Sequence, residues 1–344
     1  MYSPIQWLNL VATSTLTLQQ FKALAISSAE NLSQECPSEE PCEKVATWLE
    51  WVSGNAHRKL LGLFDPDYPS LLQELSDPPR LLFCEGDLSL LSKPQLAIVG
   101  TRHPSMPARE DAYLFARALA ESGWVITSGL AAGIDGAAHE GALDGGGETV
   151  AVLGCGIDRV YPRQHGQLLA RIRSSGLVVS EYAPGTPPRP YQFPIRNRIV
   201  SGLSKGVLVV EASLDSGSLI TARHALEQNR DVFAIPGSIH NPAARGCHRL
   251  LKDGAMLVET VDDVFDGLGF FTMNGHDAEP NRTERSPPGR PLNELMHCVD
   301  WHGSTLDEVL ARSTLATPTV VSGLMSLCLS GHLKEGEGRY YRVC

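Results

Sequence analysis

Short runs of apolar residues without polar alternation dominate the middle of the chain, and most of them end at glycine or serine. Runs of this kind, each followed by a small-residue loop and then by helical spacing, are typical of parallel strands buried on both faces of a sheet. The strong runs lie at residues 96–99, 124–127, 149–153, 177–181, 207–211 and 231–235, with weaker ones at 81–84 and 256–258. The pattern predicts an α/β domain with a doubly wound parallel sheet over residues 63–266.

The N-terminal segment, residues 1–62, is helical in its apolar spacing. Gln19–Ile26 and Val45–Trp51 carry apolar residues at helical intervals, and the acidic, proline-containing stretch Glu35–Pro41 separates them. We therefore predict a small helical domain. It lacks the Gly-x-Gly turn of a helix-hairpin-helix motif, so a packing or spacer role is an open alternative.

Two further segments follow the predicted sheet. Residues 267–291 are polar and contain Asn-Gly and Pro-Pro-Gly turns, which favours a flexible linker. Residues 292–344 contain three helical patterns, at 292–299, 305–311 and 318–330, and two segments suited to a hairpin, at 331–334 and 339–343. Three helices and a hairpin indicate a winged-helix-like C-terminal domain. Because the third helix has few basic residues, a protein-contact module is the alternative.

The charge of the chain is uneven. A net charge of −10 over 344 residues argues against a protein that coats nucleic acid through overall attraction. Between residues 189 and 252, however, there are nine lysines and arginines and only four acidic residues, which indicates a local anion site.

Other features of composition narrow the cellular context. No apolar run approaches the roughly 18–20 residues needed to span a bilayer. The N-terminus lacks the basic start and apolar core of a signal peptide, so we expect a cytoplasmic protein. The eight cysteines are scattered without a Cys-x-x-Cys pair, which favours reduced thiols over disulfides or a metal site.

The loops after the predicted parallel strands are expected to share one edge of the sheet, where ligands of such folds bind. These loops begin at Gly100, Ser128, Gly154, Ser180, Ser213 and Pro236. In the loop after residues 207–211, Ser216-Gly217-Ser218 opens a helix whose first N–H groups have no partner within the helix, an arrangement that suits an anion. Arg102 follows the first strong strand, where its planar guanidinium is placed to hold a phosphate with two hydrogen bonds.

Nucleotide cofactors and catalysis fit the sequence poorly. The chain lacks the Gly-x-x-x-x-Gly-Lys-[Ser/Thr] loop, and no strand runs into the Gly-x-Gly-x-x-Gly motif of NAD or FAD binding. Asp135 and His139 lie four residues apart on a predicted helix, where they are able to form a hydrogen bond. The alternative is that Asp135 caps the helix and His139 packs in the core. We find no catalytic set, metal site or cofactor motif, and expect a protein that is not an enzyme.

Single-stranded nucleic acid suits the remaining features, because basic groups beside an aromatic face are the usual combination for that ligand. Arg196, Arg198 and Lys205 add positive charge near the serine loop, and Phe193 adds a face on which a base can stack. Two alternatives stay open: Arg198 forms an ion pair with Glu211, and Phe193 packs in the core.

Six motifs, in order along residues 65–265, resemble the DNA-processing protein A family, also called DprA or Smf. They are Val99-Gly100-Thr101-Arg102; Ser128-Gly129-Leu130-Ala131 with Gly133-Ile134-Asp135; Gly154-x-Gly156-Ile157-Asp158 with Tyr161-Pro162; Phe193-Pro194-x-Arg196-Asn197-Arg198; Ser216–Ala222; and Val232–Gly237. The resemblance implies an extended Rossmann-like fold that binds single-stranded DNA, delivers it to the RecA recombinase during natural transformation, and forms a homodimer through that domain. It implies no catalytic activity.

The resemblance also implies a basic DNA pocket that includes Arg102, Phe193 and the positive side chains near it. The full set of candidate DNA-binding residues is Arg102, Ser128, Gly129, Arg189, Phe193, Arg196, Arg198, Lys205, Ser216, Gly217 and Ser218. The chain departs from the family pattern at His165, where asparagine is common. The N-terminal segment, residues 1–62, is similar in place to the family's helical, SAM-like domain but lacks a clear hairpin motif. The C-terminal module resembles the winged helix found in part of the family, which is not always a DNA binder.

Two rival functions remain at this point. A Rossmann-like enzyme that cleaves the N-glycosidic bond of nucleotides would share the predicted sheet, but the Pro-Gly-Gly-x-Gly-Thr-x-x-Glu loop of such enzymes is absent from the chain. An adaptor that contacts other proteins and has weak DNA affinity is the second rival. Release of a free base from nucleoside monophosphates would indicate the enzyme. Capture of RecA, compared with and without DNA, would distinguish the adaptor from a DNA-binding protein.

Overall fold

The computed structural model describes residues 3–13, 16–21, 38–269, 290–300, 303–336 and 338–342. The described residues cluster in two compact units, one within residues 1–104 and 111–270 and the other within residues 105–110 and 271–344. Among these residues, no helix is both long enough and apolar enough to cross a membrane.

The larger unit is built on a mostly parallel sheet. Its strands are β1 Arg58–Gly62, β2 Leu81–Gly86, β3 Gln95–Val99, β4 Val125–Ser128, β5 Thr149–Leu153, β6 Leu177–Ser180, β7 Gly206–Val209, β8 Asp231–Ala234 and β9 Met256–Leu257. Within the described residues, these nine strands lie in the order β1-β2-β6-β5-β4-β3-β7-β8-β9. Strands β3 to β9 are parallel, whereas β2 pairs antiparallel with both β1 and β6.

The central strands are apolar because helices cover both faces of the sheet. Every residue of β3, β4, β5, β6 and β7 is buried. Full burial of a valine, leucine or isoleucine side chain contributes roughly 1.5–3 kcal/mol, so these strands supply much of the driving force for folding. The sheet is therefore a rigid support for the loops at its edges.

Helices alternate with the strands. Those that begin before residue 270 and have both ends among the described residues are α1 Pro4–Thr13, α2 Glu43–Ser53, α3 Ser70–Gln73, α4 Met106–Glu121, α5 Ile134–Asp144, α6 Gly166–Ser175, α7 Gln192–Leu203, α8 Ser218–Glu227, α9 Arg245–Lys252 and α10 Val261–Gly267. Trp48 and Trp51 of α2 pack edge-on against Phe83 of β2, with ring centroids 5.5 and 5.9 Å apart. The N-terminal helices thus pack directly on the antiparallel side of the sheet.

The predicted α/β sheet is confirmed, and each apolar run of the sequence forms a strand. The prediction of helical structure up to residue 62 is wrong at its end, because Arg58–Gly62 is the edge strand β1 and pairs with Leu81–Gly86. Most of the predicted helix Gln19–Ile26 lies outside the described residues. Residues 270–289 of the predicted linker 267–291 also lie outside them. The domain boundaries as a whole stay predictions.

The winding of the chain creates a crevice between β3 and β7. From β3 the chain moves outward through β4 and β5 to β6, and then returns to β7 on the other side of β3. The loops after β3 and β7 therefore turn in opposite directions, and ligands of doubly wound sheets bind at such a switch point. Val99 pairs with Val209 at the last register position of the two strands, so both loops begin at the same level.

The smaller unit contains three helices and a short antiparallel sheet after residue 289. Its elements are α11 Arg290–His297, β10 Ser304–Thr305, α12 Leu306–Arg312, α13 Thr317–Leu329, β11 Leu333–Gly336 and β12 Arg339–Arg342. The three sequence-predicted helices and the hairpin are all present, with β12 pairing both β10 and β11. A separate core of buried aliphatic residues, which includes Leu295, Val309 and Leu324, holds these elements together.

Candidate nucleic-acid interface

The crevice between β3 and β7 contains a cavity of about 330 Å³ in the larger unit. Its walls come from the loops after β3, β4 and β7, from one side of α7 and from the starts of α5 and α8. The lining residues are Val99, Gly100, Thr101, Arg102, His103, Gly129, Ala131, Asp135, Phe193, Pro194, Arg196, Asn197, Val200, Ser213, Ser216, Gly217, Ser218 and Thr221. Seven of the candidate DNA-binding residues are in this set, so the structure brings together positions more than a hundred residues apart.

Arg102 is the exposed cation of the cavity wall. Main-chain hydrogen bonds hold its loop on both sides, because Thr101 N donates to Glu211 O at 2.7 Å and Ile134 N donates to Thr101 O at 3.2 Å. Gly133 has a φ of +84°, and a Cβ there would lie 2.4 Å from Thr101 O. The loop is therefore fixed while the Arg102 side chain remains exposed to solvent.

The half-buried ring of Phe193 lies under the Arg102 side chain. The guanidinium carbon of Arg102 is 5.6 Å from the centroid of the Phe193 ring, which is a cation–π distance. Gly154, at the end of β5, allows the ring to lie close to the main chain, since a Cβ at that position would be 2.8 Å from Phe193 Cδ1. The sequence-based alternative that Phe193 is a core residue is only partly right, because the ring lines the cavity.

Ser216, Gly217 and Ser218 form the opposite wall, where α8 begins. The helix has Gly217 at its N-cap position, so the N-cap residue supplies no side-chain bond. The first N–H of the helix, from Ser218, donates to Ser216 Oγ at 3.4 Å. The two serine hydroxyls are 2.7 Å apart and share a hydrogen bond. A Cβ at Gly217 would meet no atom within 4 Å, so the helix start opens to the cavity. The positive end of the α8 dipole and the serine hydroxyls together favour an anion here.

Arg196 has a structural position that differs from the predicted one. Only 3% of the residue is exposed, and its Nη1 donates hydrogen bonds to the main-chain carbonyls of Gly129 (2.6 Å) and Val152. Burial lowers the pKa of the guanidinium, and the nearby Asp135 carboxyl opposes that shift. Arg196 thus connects α7 to the ends of β4 and β5. Its charge raises the positive potential of the cavity, but the guanidinium itself is buried.

Gly129 belongs to the same buried arrangement. A Cβ at this position would lie 2.5 Å from the Arg196 guanidinium. Its N–H and carbonyl are both used within the fold, since the N–H donates to Asp135 Oδ2 at 3.1 Å and the carbonyl accepts from Arg196. The residue therefore makes room for Arg196 rather than offering a main-chain group to a ligand.

Asp135 and His139 do not form a catalytic pair. Asp135 Oδ2 accepts hydrogen bonds from the N–H groups of Gly129 (3.1 Å) and Ala131 (3.3 Å), so it holds the loop before its own helix. Burial raises the pKa of the Asp135 carboxyl, against the effect of Arg196 and of these N–H groups. His139 is completely buried, with Nδ1 2.7 Å from Thr149 Oγ1. Both side chains are thus engaged in holding the fold.

Arg198 points away from the cavity, contrary to the prediction that it lines the DNA pocket. Its Nη2 is 2.7 Å from Glu181 Oε1 and its Nε is 3.0 Å from the carbonyl oxygen of Asp77. The alternative that Arg198 forms an ion pair with Glu211 is also wrong, because the guanidinium bonds to Glu181 and Asp77, and Glu211 Oε1 accepts a hydrogen bond from Asn241 Nδ2. Since Arg196 and Arg198 are two residues apart on a helix, their side chains emerge on different faces.

Lys205 lies at the opposite edge of the sheet from the cavity. It directly precedes β7, and its N–H donates to the carbonyl of Gln95, the first residue of β3. Helix α7 has 12 residues, and at about 1.5 Å per residue it carries the chain roughly 18 Å from the cavity edge to the amino ends of the strands. The grouping of Lys205 with Phe193 and Arg196 is therefore wrong.

Ser128 and Arg189 complete the candidate set, and neither lines the cavity. Ser128 is fully buried, and its hydroxyl donates to Ile98 O at 2.6 Å, which joins the ends of β3 and β4. Arg189 is exposed near the start of α7, and its Nη1 is 3.3 Å from the Tyr191 hydroxyl. The structure thus places Ser128 in the core and Arg189 on the surface beside the cavity-lining segment.

Several cavity residues were not singled out from the sequence. Asn197 Nδ2 donates to the carbonyl of Gly217 at 3.3 Å, which joins α7 to the start of α8. His103 and Thr221 also line the cavity. The sequence signal for Asn197 is its place between Arg196 and Arg198 in the Phe193–Arg198 motif. Within the part of the chain that the structure describes, no three His, Cys, Asp or Glu side chains group as metal ligands.

Comparison with known proteins adds independent information. A family model described as DNA recombination-mediator protein A matches residues 59–269 of the chain. Protein Smf of Escherichia coli (strain K12) is 42% identical over 307 residues, which cover 88% of this chain and 82% of that protein. These matches confirm the resemblance that the sequence motifs indicate.

Two solved structures resemble the chain as well. The X-ray structure of DNA processing protein A from Streptococcus pneumoniae has a TM-score of 0.59 and 44% identity, and covers 65% of this chain and 82% of that one. DNA processing protein A from Helicobacter pylori, described for its single-stranded DNA binding mode, has a TM-score of 0.56 and 33% identity, and covers 62% of this chain and 97% of that one.

Proposed function

Because the chain belongs to the DNA recombination-mediator protein A family, we propose that it binds single-stranded DNA in the crevice between β3 and β7 and acts as a recombination mediator. The observation that carries this proposal is the exposed Arg102 side chain, with its guanidinium carbon 5.6 Å from the centroid of the Phe193 ring, in the same cavity as the serine-lined start of α8. The Helicobacter pylori relative, with its described single-stranded DNA binding mode, supports the choice of ligand.

Each wall of the cavity has a separate task in this proposal. Arg102 binds a phosphate with its planar guanidinium, and the start of α8 at Ser216–Ser218 binds a second anionic group. Phe193 stacks on a base, an interaction worth roughly 1–3 kcal/mol per base. The buried Arg196 adds positive potential from below. Unpaired bases are needed for stacking, so the site favours single strands over duplex DNA.

The later steps of the function are also proposals. We propose that the protein protects incoming single-stranded DNA, transfers it to the RecA recombinase during natural transformation, and works as a homodimer joined through the Rossmann-like unit. The smaller unit, with three helices and an antiparallel hairpin, fits a winged-helix-like module. Its third helix, Thr317–Leu329, contains no lysine or arginine, which favours contact with protein over contact with DNA.

The first test measures which nucleic acid is bound. Fluorescence anisotropy with a labelled oligothymidylate and with a duplex of equal length, over a series of salt concentrations, should give tighter binding of the single strand and a steep loss of affinity as salt increases. Equal affinity for duplex and single strand, or binding that is independent of salt, would contradict the proposal.

The same samples test the proposal that the protein is not an enzyme. After incubation with labelled strand or with nucleoside monophosphates, chromatography should recover the strand and the nucleotides intact, because Asp135 and His139 are engaged in bonds within the fold. Release of a free base would favour the rival N-glycosidic enzyme. Capture of RecA that does not depend on DNA would favour the adaptor.

A further inference from the structure

Tyr161 is an exposed aromatic residue beside the cavity that the candidate set does not include. The centroid of its ring is 5.2 Å from that of Phe193, and the two ring planes are tilted by 38°. The residue is 41% exposed. The two rings therefore pack against each other at the edge of the crevice, with Arg102 on the Phe193 side and part of the Tyr161 ring open to solvent.

The loop that carries Tyr161 is fastened to a neighbouring loop. Gly156 N donates to Thr186 O at 2.9 Å, and Asp158 Oδ1 accepts from Gly185 N at 2.8 Å. A Cβ at Gly156 would lie 2.7 Å from Ala183 O, so the glycine permits the close approach of the two loops. These bonds fix the position of the ring in advance, which lowers the entropy cost of stacking a base on it.

Phe193 has less free surface than Tyr161. The main chain at Gly154 covers one part of the Phe193 ring, the Arg102 guanidinium lies 5.6 Å from its centroid, and Tyr161 packs beside it. Within the part of the chain that the structure describes, the Tyr161 hydroxyl forms no hydrogen bond, and the residue is 41% exposed. The more accessible aromatic face of the pair is that of Tyr161.

We propose that Tyr161 stacks on a base of its own, next to the base on Phe193, so that the site holds two neighbouring nucleotides. This proposal rests on the proposed single-stranded DNA function and makes it more specific. The short distance between the rings restricts the two bases to adjacent nucleotides. Every base has a π-face, so the surface gives affinity with little sequence preference.

A simpler role for Tyr161 would be to support the Phe193 ring. A double-mutant cycle separates the two roles, because residues that act through one another are not additive. Tyr161→Ala should weaken binding of oligothymidylate about tenfold in the wild-type background, and again about tenfold in the Phe193→Ala background. A supporting role predicts no further loss in the Phe193→Ala background, and that result would overturn the proposal.

Two controls make the measurement specific for stacking. Tyr161→Phe keeps the ring and should bind within about twofold of wild type, whereas Tyr161→Leu keeps bulk without a ring and should bind as weakly as Tyr161→Ala. A strand made entirely of abasic nucleotides should bind wild type and Tyr161→Ala equally. An equal loss for the abasic strand would overturn the proposal.

The outcome also distinguishes this proposal from the function on which it rests. Wild-type protein that binds single-stranded DNA while Tyr161→Ala binds equally well overturns only the role of Tyr161. Wild-type protein that does not bind single-stranded DNA overturns both. Thermal unfolding of each variant, with an unchanged midpoint expected for a 41% exposed side chain, shows that the binding losses come from the folded protein.

Discussion

Arg102 and Arg196 line the same cavity, but Arg102 is exposed and Arg196 is buried. Arg102 is exposed, and its guanidinium carbon lies 5.6 Å from the centroid of the Phe193 ring. Arg196 is 3% exposed and donates hydrogen bonds to the carbonyls of Gly129 and Val152. A buried cation needs such partners, because an unpaired charge in the interior is expensive. Replacement of Arg196 should therefore lower the free energy of unfolding much more than replacement of Arg102.

Arg196→Ala should lower the free energy of unfolding by about 3 kcal/mol, because it leaves the buried carbonyls of Gly129 and Val152 without their donor and removes the positive charge near the buried Asp135 carboxyl. Arg102→Ala should change that free energy by no more than about 0.5 kcal/mol, as expected for an exposed side chain. Urea unfolding of both variants measures this difference. Equal stability of the two variants would show that Arg196 is not the structural tie described above.

His139 links stability to pH. Thr149 Oγ1 donates to Ile126 O at 2.5 Å, so the same oxygen accepts the hydrogen bond from His139 Nδ1–H. Among the described residues, His139 Nε2 is buried without a hydrogen-bond partner. Burial, together with the charges of His165 and Arg196, lowers the pKa of His139 from 6.5 to about 3. The fold therefore holds the neutral imidazole.

The sign of the pH effect follows from that lowered pKa. Between pH 6.5 and about 3 the unfolded chain binds a proton that the folded chain excludes, so stability falls as the pH falls, by up to about 1.4 kcal/mol per pH unit from this group. Urea unfolding of His139→Gln from pH 7.5 to 5 should show a shallower decline than wild type, since glutamine does not titrate. Parallel curves for the two proteins would contradict this assignment.

At the scale of elements, helix α7 explains why the basic cluster was mispredicted. The Phe-Pro pair at its start favours an extended conformation at Phe193 when judged from sequence, whereas the structure continues as helix from Gln192 to Leu203. A helix turns its side chains through all directions and advances along its axis. Arg196, Arg198 and Lys205 are therefore spread over a buried face, a lateral face and the far edge of the sheet.

Arg198→Ala tests the lateral attachment of α7. The side chain is 12% exposed and its ion pair with Glu181 has an Nη2–Oε1 distance of 2.7 Å. Loss of hydrogen bonds between charged groups should reduce the free energy of unfolding by about 1.5–3 kcal/mol. The affinity for oligothymidylate, measured by anisotropy at 10 °C where the variant is folded, should stay within about twofold of wild type. A tenfold loss of affinity would return Arg198 to the DNA site.

Apolar runs identified the parallel strands from sequence, because a strand that is covered on both faces needs apolar side chains at nearly every position. The same logic placed Arg102 and Ser216–Ser218 at one edge of the sheet, and the structure confirms that placement. The edge strand β1 was missed, since pairing with β2 rather than its own short pattern makes it a strand. Side-chain partners, such as Glu181 for Arg198, depend on the packing of distant segments and carry no local signal.

For the molecule as a whole, affinity must come from a local site, because the net charge of −10 repels a polyanion at long range. The crevice meets that requirement by placing an exposed cation, an aromatic ring and a helix start within one cavity of about 330 Å³. Lys205, at the amino ends of the strands, provides a matched cation outside the site. The comparison of Arg102 with Lys205 therefore separates the crevice from general electrostatic attraction.

The central claim is tested most directly by the salt-dependent affinity of three proteins for a labelled oligothymidylate. Arg102→Ala should bind at least tenfold more weakly than wild type, with the slope of log affinity against log salt reduced by about 1. Lys205→Ala should match wild type within about twofold in affinity and in slope. Unchanged binding by Arg102→Ala, or an equal loss in Lys205→Ala, would contradict the assignment of the crevice as the DNA site.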